Sequence, residues 1–115
     1  MRALGLNKAE LVLIPQAGII DEWPDGLFEA EVRVASFQNG YFTALVNRVG
    51  EEEKLEFSGE SFVSSPDGRI IARSPKGEDF ILITDIDLKS VESSYARRLF
   101  FKDRRPEVYS EILKI

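Results

Sequence analysis

Leu27-Phe28-Glu29-Ala30-Glu31-Val32-Arg33-Val34-Ala35-Ser36-Phe37-Gln38-Asn39 is the stretch on which the fold turns. At period two, Phe28, Ala30, Val32 and Val34 alternate with Glu29, Glu31 and Arg33, as in a half-buried strand. At 100° per residue the same stretch carries two apolar stripes, Phe28/Val32/Ala35 and Leu27/Ala30/Val34/Phe37, and Asn39-Gly40 supplies a C-terminal stop. A strand here is compatible with a closed all-β barrel. A helix buried on two sides calls for a mixed α/β architecture, and periodicity by itself leaves both readings open.

Upstream, Glu10-Leu11-Val12-Leu13-Ile14 is a short apolar run stopped by Pro15, the pattern of a strand covered on both faces. A loop from Gln16 to Gly26 follows, broken by Gly18, Pro24 and Gly26, and it holds the only tryptophan, Trp23. Downstream, Tyr41 to Val46 is rich in aromatic and β-preferring residues and reads as a strand closed by Asn47-Arg48-Val49-Gly50. Residues 51–60 carry a net charge of −4 and read as a solvated loop, since no Asp-x-Asp-x-Asx-Gly spacing organises Glu51-Glu52-Glu53 around a cation. Ser61 to Ser64 and Arg69 to Arg73 flank Pro66-Asp67-Gly68, a turn that predicts a hairpin. Phe80 to Thr84 is the next expected strand. Asp85 or Asp87 can then cap a helix with Leu88, Val91, Tyr95 and Leu99 on one face. The tail holds Arg97, Arg98, Lys102, Arg104 and Arg105 against Asp103, and structural ion pairing is its simplest reading.

A chain of 115 residues fits a single domain, 1–115, and its 43% hydrophobic and 30% charged content is that of an ordinary folded protein. It has no cysteine and no histidine. That removes thiol nucleophiles, disulfides, Cys/His zinc sites and every Ser-His-Asp or Cys-His device, and no cofactor or metal is expected. A net charge of −5 has the wrong sign for a general phosphate-binding surface, so nucleic acid is not an expected partner. The longest apolar run, Leu11 to Ile14, is far shorter than the ~18–20 residues a membrane span requires, and no signal-peptide segment opens the chain. These features predict a cytoplasmic protein.

In order along the chain, Glu10-Leu-Val-Leu-Ile-Pro15, Ala35-Ser-Phe-Gln-Asn-Gly-Tyr-Phe42, Asn47-Arg-Val-Gly50, Phe57-Ser-Gly-Glu-Ser61, Pro66-Asp-Gly68 and Asp85-Ile-Asp87 resemble the C-terminal part of the carbon–nitrogen hydrolase (nitrilase) superfamily. Tyr95-Ala-Arg-Arg-Leu99 and Asp103-Arg-Arg-Pro-Glu107 resemble the C-terminal helix and tail of its β-ureidopropionase and N-carbamoylputrescine amidase type. The resemblance implies an α/β fold: a portion of a four-layer αββα sandwich with a mixed sheet, about two helices and five or six strands, in which 27–39 is helical. It also implies amide or N-carbamoyl hydrolysis through a Glu base, a Lys and a Cys nucleophile. All three precede the region this chain matches, the Cys just upstream of the segment like Met1-Arg2-Ala3-Leu4, so no catalytic role passes to any residue here. What passes is the pocket edge: Gln16, Ala17 and Trp23, with Asn47 and Arg48 at a strand end nearby. For the last two the plainer reading is that Asn47 satisfies backbone groups and Arg48 pairs with a carboxylate. The family's helix matching 27–39 builds a subunit interface, which with the two apolar stripes predicts a homodimer or larger assembly centred on Phe28, Val32 and Ala35. A separate N-terminal half and a role as an assembly module are the other partnerships the resemblance allows.

Overall fold

The computed structural model describes residues 1–113, and residues 27–39 are helical. The elements run α1 (Arg2–Leu6), β1 (Leu11–Gln16), α2 (Leu27–Asn39), β2 (Phe42–Asn47), β3 (Val49–Glu52), β4 (Leu55–Ser58), β5 (Phe62–Ser64) and β6 (Ile70–Arg73). Two 3₁₀ helices, Leu88–Ser93 and Pro106–Leu113, enclose a wide π-helical turn at Ala96–Phe100. Four strands form a mixed sheet in the order β1-β2-β5-β6, with β1 parallel to β2 and the other pairs antiparallel. The remaining two, β3 and β4, make a separate hairpin.

Helix α2 ends where the sequence stops it. Gly40 adopts φ 62°, ψ 53°, and its N–H closes on the Ser36 carbonyl at 2.8 Å. A side chain at Gly40 would collide with Ser94 Oγ and lie 3.0 Å from Ala96 Cβ, so the position needs glycine for both conformation and space. One stripe of α2 lies on the sheet, where Val32 joins Leu45 and Phe62 as the centre of the core, with Ile14, Phe28 and Ile70 packed around them. Beside this apolar cluster, Ser36 Oγ shares hydrogen bonds with Thr43 Oγ1 (2.7 Å) and Ser64 Oγ (2.6 Å), all three residues fully buried. The trio fixes α2 to β2 and β5 by direction as well as by shape, because each buried hydroxyl requires its partner. The Tyr41 ring is likewise fully buried, and burial raises its hydroxyl pKa above the ordinary tyrosine value.

The second stripe of α2 divides. Phe37 stacks against Tyr95 and Phe100, at centroid distances of 5.6 and 5.3 Å, whereas Leu27 and Val34 stay about half exposed. Phe28, Val32 and Ala35, expected at the centre of a subunit contact, therefore sit on the inward stripe: Val32 and Ala35 are buried within the chain and Phe28 is half-buried. The apolar surface that α2 offers outward is Leu27, Ala30 and Val34.

Four further expectations change on contact with the structure. Pro15 does not stop β1, which continues to Gln16. The carbonyls of Glu10 and Gln16 accept from Phe42 and Arg48 of the β2 side, so even-numbered residues carry the ladder and the missing N–H of Pro15 falls on the open edge, where proline is tolerated. Residues 51–60 are not a plain loop, because Glu51, Glu52 and Glu56 lie on the β3–β4 hairpin, turned at Glu53 and Lys54. Phe80 to Thr84 forms no ladder, and Phe80, Ile81 and Ile83 are exposed. Asp87 does cap the helix that follows, accepting from Lys89 N at 3.0 Å, but the helix is a 3₁₀ segment that breaks at Ser94, and of its expected face only Val91 is buried.

The basic tail is tied down mainly through carbonyls and rings. Arg97 donates to the Ala9 carbonyl (2.8 Å) and lies over the Phe101 ring, Arg98 over Tyr95, and Arg104 donates to the Phe101 carbonyl. Arg105 pairs with Glu107 and holds that carboxyl below its ordinary pKa. No described helix is long and apolar enough to cross a membrane.

Candidate functional site

In mixed and parallel sheets the carboxyl ends of the parallel strands are the natural place for a ligand cleft. Here Gln16 and Asn47 end β1 and β2 side by side in register. An open cleft of about 560 Å³ begins at that point. Leu45, Phe62 and Phe28 are its apolar floor, and the loop after β1 folds over as one wall, with Trp23 at the lip.

Asn47 builds this wall. Its Oδ1 accepts from Gly18 N at 2.7 Å, and its Nδ2 donates to Ser58 Oγ (3.1 Å), to the Gly59 carbonyl (3.0 Å) and, at 3.3 Å, to the Gly18 carbonyl. Its backbone N–H donates to Ser61 Oγ at 3.0 Å. The amide is thus committed to clamping the post-β1 loop to the 58–61 segment. Gln16, by contrast, makes no side-chain hydrogen bond among the described residues and is half-buried beside Asn47, which leaves its amide for a ligand. Trp23 is 53% exposed, its ring 6.3 Å from Phe28, so it is a lip and not a plug over the core.

Ala17 and Arg48 do not line the cleft. Arg48, just before β3, pairs with Glu52 at the end of that strand, and its guanidinium lies 4.5 Å from the centre of the Phe57 ring, so it braces the β3–β4 hairpin. Of the five sequence-derived edge residues, the structure gathers Gln16, Trp23 and Asn47.

The far wall carries charge that the sequence reading passed over. Glu29, in the first turn of α2, accepts from Arg73 at the end of β6 and lies 3.6 Å from Arg33, while Arg73 also sits over the Phe62 ring. Glu60 and Lys76 complete the rim. Glu29 and Arg73 are 44 residues apart and belong to no motif, so only the packing of α2 on the sheet brings them together. The cleft as built can position a small polar molecule: an apolar floor, one free carboxamide, and a carboxylate–guanidinium pair opposite. The chain brings no thiol and no imidazole to the cleft, and among the described residues that line it the one lysine is Lys76 on the rim.

Comparison with known proteins defines the class. The family model for carbon–nitrogen hydrolases matches residues 1–96. The chain is 34% identical over 113 residues to the protein known as "Hydrolase in pqqF 5'region" of Pseudomonas protegens, covering 98% of this chain and 39% of that one. It is 31% identical over 127 residues to the beta-ureidopropionase of Arabidopsis thaliana, covering 96% and 31%. Among solved structures, the carbon–nitrogen hydrolase from Helicobacter pylori superposes with a TM-score of 0.88 at 28% identity, over 98% of this chain and 44% of that one. An amidase from Nesterenkonia sp. AN1, whose active-site cysteine carries the acetamide moiety of fluoroacetamide, superposes with a TM-score of 0.76 at 27% identity, over 96% and 37%.

The chain belongs to the carbon–nitrogen hydrolase family. Its α/β architecture is that of a portion of the nitrilase fold, and it spans about two-fifths of the length of most of the relatives it matches.

Proposed function

We propose that these 115 residues form one structural unit of a carbon–nitrogen hydrolase acting on amide or N-carbamoyl compounds. In this reading they build one wall of the substrate pocket and have no activity by themselves. In amidase chemistry of the thiol type, a thiolate adds to the carbonyl carbon, the nitrogen leaves, and water releases the acyl group. The observation that carries the reading is a pairing of two facts: nearly the whole chain superposes on 44% of a carbon–nitrogen hydrolase, yet it contains no cysteine. The nucleophile must therefore come from the rest of the fold. Gln16, Trp23 and Asn47, which meet at the carboxyl ends of the parallel strands, are the residues proposed to border the substrate. Arg48 and Ala17 keep, at most, an indirect part.

The test is reconstitution. The 115-residue chain is mixed with an N-terminal portion of a relative bearing the Glu, Lys and Cys, and ammonia release from N-carbamoyl compounds is followed. The chain alone should release none, and the mixture should release ammonia in proportion to complex formed. Activity of the isolated chain would end the proposal.

A second reading is favoured by the outward surface of α2. Leu27, Ala30 and Val34 leave an apolar strip on a helix whose other face is already buried, which suits a scaffold that assembles with copies of itself. Light scattering separates the two: a homodimer that Val34→Lys dissolves supports assembly through α2.

A further inference from the structure

The charged groups around the cleft are not equivalent. On the far wall, Glu29 is taken up by Arg73 and Arg33, so its charge is cancelled within the wall and offers little to a ligand. On the post-β1 loop, the Glu22 carboxylate accepts from Ile19 N, and Asp21 and Asp25 lie in open solvent. Glu60 is the exception. It lines the cleft half-buried, and its carboxylate makes no hydrogen bond or ion pair among the described residues.

The backbone beneath that carboxylate is strained. Glu60 has φ 54°, in the left-handed region that residues other than glycine seldom enter, and glutamate is not among the types enriched there. The conformation is imposed from both sides. Asn47 Nδ2 donates to the Gly59 carbonyl and Asn47 N–H to Ser61 Oγ, while the Gly59 N–H donates to the Arg48 carbonyl at 2.9 Å. For folding alone, glycine would make this turn without the clash of a Cβ. A glutamate held there by its neighbours is an outlier that sets one unpaired carboxylate at the cleft, and such outliers concentrate at ligand sites.

The surroundings decide which ligand charge the position suits. Lys76, bridged through its backbone to Gly59, is the opposing charge on the rim. It is exposed, a hydrated ammonium on a flexible stem, whereas Glu60 is half-buried on a fixed turn, so the carboxylate sets the sign at the wall. The residues lining the cleft carry five carboxylates against two cations. The open Trp23 ring at the lip also attracts a cation to its face.

We propose that Glu60 is a specificity-determining residue of this cleft, its carboxylate pairing with the ammonium of an amide or N-carbamoyl substrate that carries a second, protonated amino group. This inference rests on the functional reading above and adds to it the charge of the substrate and the residue that selects it.

Trp23, the only tryptophan, reports binding by its fluorescence. Titrated into the full 115-residue chain, γ-aminobutyramide should bind roughly fivefold more tightly than neutral valeramide, and more tightly still than succinamate, as a charge-assisted contact provides. Glu60→Gln should remove the preference. Glu51→Gln, which changes the net charge equally but lies exposed on the β3–β4 hairpin, should keep it. Glu60→Gly should lose the preference while raising the melting temperature by a few degrees, because the backbone strain goes with the side chain. In the reconstituted mixture, Glu60→Gln should raise KM for γ-aminobutyramide roughly fivefold with little effect on kcat, the pattern of lost substrate binding.

Equal binding of the three amides, a preference for succinamate, no binding of γ-aminobutyramide by the chain or the mixture, or an equal loss for all three in Glu60→Gln overturns the proposal. So does a lower melting temperature in Glu60→Gly, or failure of Glu60→Gln to join the N-terminal portion, since the carboxylate would then be a structural partner. Ammonia release separates this inference from the functional reading. Selective binding with no ammonia from the mixture leaves Glu60 as a selector of cations and removes the amidase reading; ammonia released equally from the three amides does the reverse.

Discussion

The two faces of the four-stranded sheet differ in almost every physical respect. Facing α2, Leu45 and Phe62 are at most 4% exposed, the hydroxyls of Ser36, Thr43 and Ser64 satisfy one another, and the cleft opens at the end where Gln16 and Asn47 meet. On the opposite face Leu13 and Val46 stand open, covered only at the Phe42 end by the segment around Ser90 to Tyr95. Neighbouring residues of one strand, Leu45 and Val46, thus sit at 3% and 58% exposure. The difference teaches that the chain's stability is one-sided: the α2 side is a finished core, and the other side leaves apolar side chains open to solvent.

The largest expected effect is on the finished side. Phe62 lies at the centre of the core and under Arg73, so Phe62→Ala should cost about 4 kcal/mol through lost burial and the cavity left behind. Urea unfolding measures it, and a loss below about 1 kcal/mol would mean that the α2 face is not the core. Gly40→Ala comes next, at about 3 kcal/mol. It places a Cβ at φ 62° and against Ser94 Oγ and Ala96 Cβ, which adds backbone strain to overpacking. Thermal unfolding should show it, whereas Gly26→Ala, also at positive φ but with no atom within 4 Å of the added Cβ, should show only the smaller backbone strain.

At the cleft, Asn47→Ala should cost about 2 kcal/mol, because it leaves Gly18 N–H and the Gly59 carbonyl without their partner. The same variant should loosen the post-β1 loop, raising amide exchange at Gly18 ahead of the rest of the sheet. Arg48→Ala, which breaks only an exposed pair and a ring contact, should stay within about 1 kcal/mol of the parent.

Tyr41 gives a pH signature confined to the buried side. Desolvation raises its pKa in the folded state, so folding favours the protonated phenol. The stability this contributes is complete below pH ~10, the unfolded value, and is lost as pH rises through the folded pKa. Melting temperature should fall as pH rises above ~10 in the parent chain and fall less in Tyr41→Phe. Equal slopes for the two proteins would show that the Tyr41 hydroxyl titrates freely.

What the sequence made legible follows the same division. Asn39-Gly40, the aromatic run Tyr41-Phe42 and Pro66-Asp67-Gly68 are local signals, and each marks the element it predicts because a cap or turn is decided by nearby backbone geometry. The Phe80–Thr84 signal is equally local, but a strand is completed by a ladder partner, and nothing in 80–84 reveals whether that partner is present. The inward stripe of α2 was legible as apolar and not as inward, since both stripes satisfy helical periodicity and only the sheet selects one. Glu29 and Arg73 were invisible for the same reason: the far wall of the cleft exists through tertiary contact between a helix start and a strand end 44 residues apart.

The smallest expected effect is the most discriminating. Val46→Ser and Leu13→Ser replace apolar side chains in the middle of a sheet, where a core residue would cost several kcal/mol. If the outer face is open to water in the isolated chain, each should change stability by no more than about 0.5 kcal/mol, and solubility should rise as the apolar patch shrinks. The contrast with Phe62→Ala, measured in the same urea titration, is then about eightfold in free energy across one sheet. A cost above about 2 kcal/mol for Val46→Ser would show that the face is already covered in solution by another copy of the chain. The unfolding midpoint would then rise with protein concentration, whereas an open face gives a midpoint independent of it. Measured again after adding the remainder of a relative's fold, Val46→Ser should become costly only in the complex, because the hydrophobic penalty appears only when the face it belongs to is removed from water.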